Sequence, residues 1–497
     1  MGALSHLRIV EIGSAAATSY CARLFADFGA DVQKVEPQAG DPLRRTAPLT
    51  PQGHSAWFAF LNFNKSSVVL AQRDASRLHE LIAGCDILLD GRGVAAADCP
   101  DIDLDTIRRD NPGLIHLDLA WFGDRGPYAD FAATDSTIRA LTGLVKLVGP
   151  EQGPPMHAPD FQVGILGGLW GFIAAAASVL GRMQDGRGRE SHLSLFEASI
   201  AVTEYIMFEA FQRGDIMRRI GVNRFWPTFP VGIYETRQGW LGVTTVTPAQ
   251  WRAFCEMLGL NELRDDPTLV MGVDRLQRVA EIEGKILPKL KQRTAQEWFT
   301  EGLKRKIPIV PVPEISDLIA DEEKRARGAI VPIAVGNEAG FSAGTMQRLT
   351  ATPPRRGGRV PDIGEQQARL EAAPRLPTPK PAPTIRLPLE GIRVVDFSMG
   401  WAGPICTRTL ADLGADVIKI EATQYPDWWR GVDRRPAYVL EQMYEKSVRY
   451  CIMNRNKRGI TLDLTRPKGL ALAKRLLADA DLVVDNYSVE VLPKLGL

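Results

Sequence analysis

Residues 7–36 read LRIVEIGSAAATSYCARLFADFGADVQKVE, and residues 392–421 read IRVVDFSMGWAGPICTRTLADLGADVIKIE. The two stretches align without a gap: Cys21 matches Cys406, Asp27 matches Asp412, Lys34 matches Lys419 and Glu36 matches Glu421. Each opens on a short apolar run, passes through a segment of helical spacing and closes on a second apolar run behind a glycine. In the first stretch Cys21, Leu24, Phe25 and Phe28 fall on one side of a helix over residues 18–28. Gly29 stops that helix and residues 32–35 form the next strand. This is a βαβ unit, the opening of a parallel sheet. Two more blocks repeat in the same order. LNFNKSSVVL at 61–70 matches MNRNKRGITL at 453–462, and DILLD at 86–90 matches DLVVD at 481–485. The chain reads as one whole copy of a fold followed by the opening of a second.

Outward from the first unit, residues 68–70, 87–89 and 114–119 supply further strands, with a helix near 76–83. Residues 160–181 and 191–211 read as long helices. From residue 227 the texture changes: FPVGIYETRQGWLGVTTV is a hairpin with its turn at 237–239. Helices are expected at 248–258, 273–291 and 295–305. The expected fold is α/β. A large Rossmann-like parallel-sheet domain (1–226 plus 333–371) carries an inserted smaller α+β domain (227–332), and a partial repeat of the large domain follows (389–497). Between the copies, residues 372–388 include PRLPTPKPAP, whose prolines and lack of apolar periodicity mark an extended connector.

Composition narrows the function. A net charge of +1 gives no reason to expect nucleic acid or an anionic membrane as partner. The six cysteines form no C-x-x-C pair and fit a reducing, cytoplasmic setting, and no signal peptide is evident at the N-terminus. VGILGGLWGFIAAAASVLG at 163–181 is uncharged and long enough to span a bilayer. Its richness in Gly and Ala reads instead as a helix inside a globular domain, with no membrane partner. The six histidines show no ligand spacing, so no metal is expected. Glu36 and Glu421 stand where a dinucleotide-binding sheet keeps its ribose acid, but GSAAAT in the first turn lacks the glycines that approach a pyrophosphate. The glycine pair around Arg187 reads as a plain turn. Asp160 precedes the long apolar helix. A carboxylate there is placed either to cap the helix or, held ionised by the helix dipole, to act as a nucleophile. The residue pattern leaves both open.

Several motifs then follow in a fixed order. After the opening block come NK before a strand, WFGDRGPY at 121–128, TDSTIRALTGL at 134–144, PMHAPDFQVGILGG around Asp160, GRGRESHLSLFEA at 186–198, KIPIVPV at 306–312 and GEQ at 364–366. In this order the chain resembles the family III CoA-transferases. These form the CaiB/BaiF family of formyl-CoA and carnitine CoA-transferases, to which α-methylacyl-CoA racemase is related. The resemblance runs from residue 4 to about 371 and again over 389–497.

The resemblance implies CoA transfer from an acyl-CoA donor to a small carboxylic acid acceptor, with Asp160 as covalent nucleophile and backbone N–H groups of the helix start facing the oxyanion. Coenzyme A is then a substrate, with no permanent cofactor. The matching CoA-contact positions are Ala15 (through its backbone), Leu70 and Arg73 in the first copy and Asn486 in the second. The family's A-G-P after the first strand is Ala17–Thr18–Ser19 in the first copy, preceded by Ala16. In the second copy it is Ala402–Gly403–Pro404, preceded by Trp401. Its N-F pair is Gly91–Arg92 in the first copy and Asn486–Tyr487 in the second. The first copy thus keeps the aspartate and loses CoA-site features, and the second does the reverse. Such a chain is also open to a degenerate, CoA-binding reading. Racemases of the family place a histidine where this chain has Thr134, which argues against racemisation. Family members are interlaced homodimers. The expectation here is a homodimer or a pseudo-dimer within one chain, and the front part of a longer tandem protein. Trp226, Phe229 and Tyr234 stand near the start of the smaller domain, placed either to line the acyl pocket or to fill the core of the hairpin.

Overall fold

The structure is a computed structural model that describes residues 2–95, 99–157, 161–214, 218–367, 386–431 and 436–497. Asp160 and the proline-rich segment 374–383 lie outside the described residues. The chain divides into two compact units. One comprises Met1–Thr142, Asp160–Ile216 and Pro332–Leu497, and the other Gly143–Pro159 with Met217–Val331. Residues 143–159, placed with the large domain by sequence, thus cluster with the smaller unit.

In the larger unit, β1 (Arg8–Ile12), β2 (Asp31–Glu36), β3 (Ser66–Val69), β4 (Ile87–Gly93), β5 (Ile115–Ala120) and β6 (Arg189–Ser194) form a parallel sheet in the order 3-2-1-4-5-6. This is the strand order of dinucleotide-binding sheets, with its switch point between β1 and β4. The sixth strand was not foreseen. Residues 191–211 read as one helix, but the structure has β6, α7 (Leu195–Ile200) and α8 (Glu204–Arg213). RESHLS is an edge strand with polar residues along it, so its alternation carries no apolar signal. Ser194 then accepts the Glu197 amide at 3.2 Å and starts α7.

One side of the sheet is covered by α1 (Ala16–Asp27) and α6 (Gln162–Asp185). The helix α6 is long and apolar enough to cross a membrane. Its glycines have a different use, because they let two helix backbones approach. A methyl group on Gly168 would lie 2.7 Å from the Ala17 carbonyl oxygen and 2.9 Å from Tyr20 Cβ, and one on Gly164 would lie 3.1 Å from Ala16 Cβ. Gly168→Val is therefore expected to destabilise the larger unit by about 3 kcal/mol through overpacking. Gly284 sits in a helix with open space at its Cβ position, so Gly284→Ala is expected to be neutral or to stabilise by up to about 1 kcal/mol. Thermal unfolding of the two variants checks the contrast. The opposite side of the sheet is covered by α3 (Ala75–Ala83) and α4 (Leu104–Asp110), with Leu78, Ile82 and Ile107 buried on Val10, Val68 and Leu88. Two shorter helices pack on the α1/α6 side, α2 (Ala56–Asn62) beside α1 and α5 (Asp135–Leu141) beside α6.

The smaller unit holds the expected hairpin, β7 (Val231–Glu235) and β8 (Trp240–Thr244), extended by antiparallel β9 (Ile309–Pro311). Helices Pro248–Leu258 and Ala295–Lys304 lie where the periodicity places them. The single helix expected at 273–291 breaks at Arg278 into Gly272–Gln277 and Val279–Leu290. Arg275 anchors the first piece. Its buried guanidinium donates to the carbonyls of Phe229, Leu269, Val270 and Thr245, pinning the first piece to the surrounding chain. Phe229 and Tyr234, candidates for pocket lining, are core residues of this unit. A small sheet of β10 (Ile330–Val335), β11 (Glu338–Ala343) and β12 (Gly358–Val360) follows, from Pro332 on within the larger unit.

The second copy contributes β13 (Arg393–Asp396), β14 (Asp416–Glu421), β15 (Arg458–Thr461) and β16 (Leu482–Val484). They are all parallel, and in space they run β15-β14-β13-β16. This is the first sheet's 3-2-1-4 arrangement reproduced strand for strand.

Candidate active site

The carboxyl end of the large sheet is where a ligand is expected in this topology, at the β1/β4 switch point. Three chain segments meet there: the β1–α1 connection, the end of β4 and the start of α6. Ala15 is the N-cap of α1 and is buried. The end of β4 presses on it: a Cβ added at Gly91 would lie 3.2 Å from Ala15 Cβ and 2.3 Å from Thr18 Oγ1. The second copy solves the same contact differently. Gly403 replaces Thr18 and leaves room for Asn486, whose Oδ1 accepts the Met399 amide at 2.9 Å and whose Nδ2 donates to the Met399 carbonyl at 2.8 Å. Asn486 is thus a clamp on the β13 loop, and Gly91 with Thr18 is the paired alternative.

Beneath the β1–α1 connection lies a buried ionic cluster. Glu11 takes Lys34 Nζ at 2.8 Å on Oε1 and Lys65 Nζ at 2.7 Å on Oε2, and Ser19 Oγ donates to it at 2.6 Å. Lys34 has a second carboxylate, Asp41, at 2.7 Å. Burial pushes the Glu11 carboxyl up, but the Lys34 and Lys65 ammoniums outweigh it and hold it at about 2. Burial also drives the Lys65 ammonium down to about 8, because it shares one carboxylate with Lys34 and has none of its own. The second copy repeats the arrangement with Lys457 on Asp396 at 3.0 Å and Lys419 on Asp427 at 3.1 Å. Glu36 and Glu421, at the ends of β2 and β14, are each locked by an arginine. Arg44 donates to Glu36 at 2.6 and 2.7 Å, and Arg430 donates to Glu421 through Nε and Nη2. A ribose-binding role is closed to both.

The start of α6 carries two unusual features. Phe161 is its N-cap and has a left-handed backbone, φ 65°, a conformation costly for a bulky residue. Its ring packs on Trp57 of α2 at 4.2 Å between centroids. The amides of Val163 and Gly164, the two that an N-cap side chain serves, instead donate to Asp135 Oδ2 at 2.7 and 3.3 Å. Asp135 Oδ1 faces Arg139 Nε at 2.9 Å. These amides are thus already engaged, which corrects their expected availability to a developing oxyanion. Thr134 is itself an N-cap, accepting from the Thr137 amide of α5. Asp135→Ala is expected to lower stability by about 3 kcal/mol, since it strips a helix cap and the carboxylate facing a buried arginine. Urea unfolding against Asp135→Asn measures it.

The structure brings Ala16, next to Ala15, against Gly164 in the first turn of α6, four residues after Asp160. Leu70 and Arg73 follow β3 on the same carboxyl edge of the sheet. Leu70 is a core residue packed with Val68 and Leu78, whereas Arg73 is exposed in the turn Gln72–Asp74. Asn486 stands in the second copy. Trp57, Phe161 and the Asp135–Arg139 pair were not singled out by sequence. Only the i, i+4 spacing of Asp135 and Arg139 was visible as a signal.

Comparison with known proteins agrees with this architecture. The family described as CoA-transferase family III matches residues 4–367 and 389–497. The chain is 31% identical to the probable CoA-transferase Rv1866 of Mycobacterium tuberculosis over 97% of its own length, and spans 61% of that relative. It is 26% identical to a succinate–glutarate CoA-transferase of Agrobacterium fabrum, over 76% of this chain and 98% of the relative. Among solved structures, a CaiB/BaiF family protein from Brucella suis superposes with a TM-score of 0.67 at 24% identity, over 75% of this chain and 99% of that one. Rv3272 of M. tuberculosis superposes with 0.62 at 18% identity, over 74% and 98%. With both stretches matched, the chain belongs to CoA-transferase family III.

Proposed function

We propose that this chain moves coenzyme A between an acyl-CoA donor and a carboxylic acid acceptor, with Asp160 as the covalent nucleophile. The observation that carries this reading is the capping of α6 by Asp135. With the Val163 and Gly164 amides already engaged, the carboxylate one residue before the helix cap is not needed as a cap. The strained Phe161 backbone next to it fits a segment held for function. In the proposed reaction the Asp160 carboxylate attacks the donor thioester carbonyl. The C–S bond breaks and leaves a mixed anhydride and the CoA thiolate. The thiolate attacks the aspartyl carbonyl and expels the donor acid as its carboxylate. The acceptor carboxylate then attacks the aspartyl thioester, and the returning thiolate takes the acyl group from that second anhydride and frees Asp160. No proton needs to move, which fits an N-cap at Thr134 where a racemase needs a base.

Relatives of the chain are named for succinate, glutarate, mesaconate and malate, so small dicarboxylic acids are the first acceptors to try. We place the CoA contacts at the β1/β4 switch point, with the Ala15 backbone and Arg73 in the first copy and Asn486 holding the matching loop of the second. We read the chain as part of a tandem, pseudo-dimeric protein that works in the cytoplasm. Intact-protein mass spectrometry after incubation with acyl-CoAs, with hydroxylamine trapping, tests the mechanism. An adduct lost in Asp160→Ala supports it. CoA binding without any adduct favours a degenerate copy.

A further inference from the structure

Ser14 and Met399 are matched positions of the two copies, just after β1 and β13. Each has an amide that is served from the neighbouring strand's end, but by different means. In the second copy the partner is a side chain: Asn486 accepts the Met399 amide at 2.9 Å and donates to the Met399 carbonyl at 2.8 Å. In the first copy Gly91 stands at the Asn486 position and has no side chain to offer. The Ser14 amide donates instead to the Ala95 carbonyl at 3.2 Å. A turn brings Ala95 there, closed by the Val94 and Ala95 amides, which both donate to the Gly91 carbonyl at 3.0 Å.

One side chain from another strand pins this turn. Trp121 Nε1 donates to the Val94 carbonyl at 3.0 Å. The Trp121 carbonyl accepts the Phe196 amide at 3.0 Å, which ties its own backbone to the first turn of α7. The register between β4 and β5 slips between Asp90 and Gly93, setting Gly93 opposite Ala120, the residue before Trp121. Such a bulge re-aims the chain that follows it. Close packing makes the arrangement specific. A Cβ added at Gly13 would lie 2.7 Å from the Gly91 carbonyl carbon, and one at Gly91 would lie 2.3 Å from Thr18 Oγ1. The second copy has Ser398, Gly403 and Asn486 where the first has Gly13, Thr18 and Gly91. The three positions exchange together, and with them the kind of clamp.

We infer that Trp121 is a positioning residue of the first copy: through the Val94 carbonyl it closes a backbone clamp on Ser14 that replaces the side-chain clamp of Asn486. Ala15, whose backbone is placed in the CoA site, follows Ser14 directly, so the clamp sets that contact. The CoA part rests on the functional reading above, whereas the clamp does not. The first copy is then a CoA site with a substituted clamp.

Hydrogen exchange of the full chain, read by mass spectrometry on the peptide around Ser14 while CoA is titrated, tests both parts at the first copy alone. Trp121→Phe keeps a ring and removes the donor. It is expected to speed exchange of the Ser14 amide about fivefold without CoA, and to raise the CoA concentration for half-protection by about the same factor, the effect of one hydrogen bond. The Phe196 amide depends on the Trp121 backbone and is expected to keep its rate. Thr18→Gly with Gly91→Asn grafts the second copy's clamp. Added to Trp121→Phe, this pair is expected to restore slow exchange and CoA protection, and Gly91→Asn alone, which meets Thr18, is expected to restore neither. Three results would overturn the inference: Ser14 exchange unmoved by Trp121→Phe, Ser14 and Phe196 loosened together, or a graft that exchanges as fast as Trp121→Phe. If the grafted chain fails to accumulate, Trp121→benzothienylalanine, which keeps the shape of indole without its N–H, decides alone: the same fivefold change supports the clamp and wild-type exchange overturns it. A wild-type chain with no CoA-dependent protection would overturn the CoA role, and exchange without CoA would still decide the clamp.

Discussion

Asp160→Ala is expected to abolish the hydroxylamine-sensitive adduct and to lower CoA transfer by roughly 10⁴-fold or more, with little change in thermal stability. The two halves of this expectation separate the two roles open to an aspartate before a helix. A capping aspartate replaced by alanine costs about 1 kcal/mol and leaves chemistry intact. A nucleophile does the reverse. At the start of α6 the Val163 and Gly164 amides belong to Asp135, so the proposed nucleophile is expected to show the second pattern. Asp160→Asn sharpens the test, because an amide keeps the size and cannot form the anhydride. Paired measurements of turnover and melting temperature on Asp160→Ala and Asp135→Ala should show opposite profiles. A stable, inactive first variant and a destabilised second one are expected. An Asp160→Ala protein that melts early and still transfers CoA would return Asp160 to a capping role.

Glu11→Gln is expected to destabilise the larger unit by about 3–5 kcal/mol, lowering its melting temperature on the order of 10 °C. Glu11 is the shared anion of two buried ammoniums, Lys34 and Lys65. Without it Lys34 still has Asp41, but Lys65 keeps only the neutral Ser19 carbonyl and Asn62 side chain. The same cluster sets a pH dependence. The Glu11 carboxyl lies at about 2 in the fold against 4.5 for the free group. Its contribution is thus complete above about pH 4.5 and is lost as pH falls from there toward 2, amounting to about 3 kcal/mol. Lys65 acts in another window. Its folded value is about 8 against 10.5 unfolded, so the unfolded chain binds more protons between those values and stability from this group rises with pH across them. Denaturant midpoints from pH 2.5 to 10 on the wild type and Lys65→Met check both. The rise above pH 8 should vanish in Lys65→Met.

Much of the candidate site was legible because its position follows from topology. The βαβ opening, the repeat and the order of motifs place the β1–α1 connection and the start of α6 in one region before any coordinate is known. Leu70 shows the limit of motif transfer. Matching a family position says which residue stands there, and only packing shows that its side chain is committed to the core with Val68 and Leu78. Asn486 shows the same limit from the other direction, since the Gly403 and Asn486 pair is a steric exchange with Thr18 and Gly91 that no single position reveals.

By itself the sequence determined the parallel-sheet class, the two copies and the family, because apolar periodicity and ordered motifs are properties of contiguous residues. It also placed the hairpin of the smaller unit and the helix Pro248–Leu258, where turn residues and spacing agree. Only the tertiary structure decided which residues share a charge, a cap or a helix face. The sixth strand stayed hidden because an exposed edge strand has no apolar alternation. Asp135 became the cap of α6 because two segments twenty-eight residues apart fold together. The glycines of α6 acquired their reason from α1, whose backbone lies where their side chains would have been. These are relations between distant parts of the chain, set by close packing and by the need of buried charges for partners, and local pattern does not encode them.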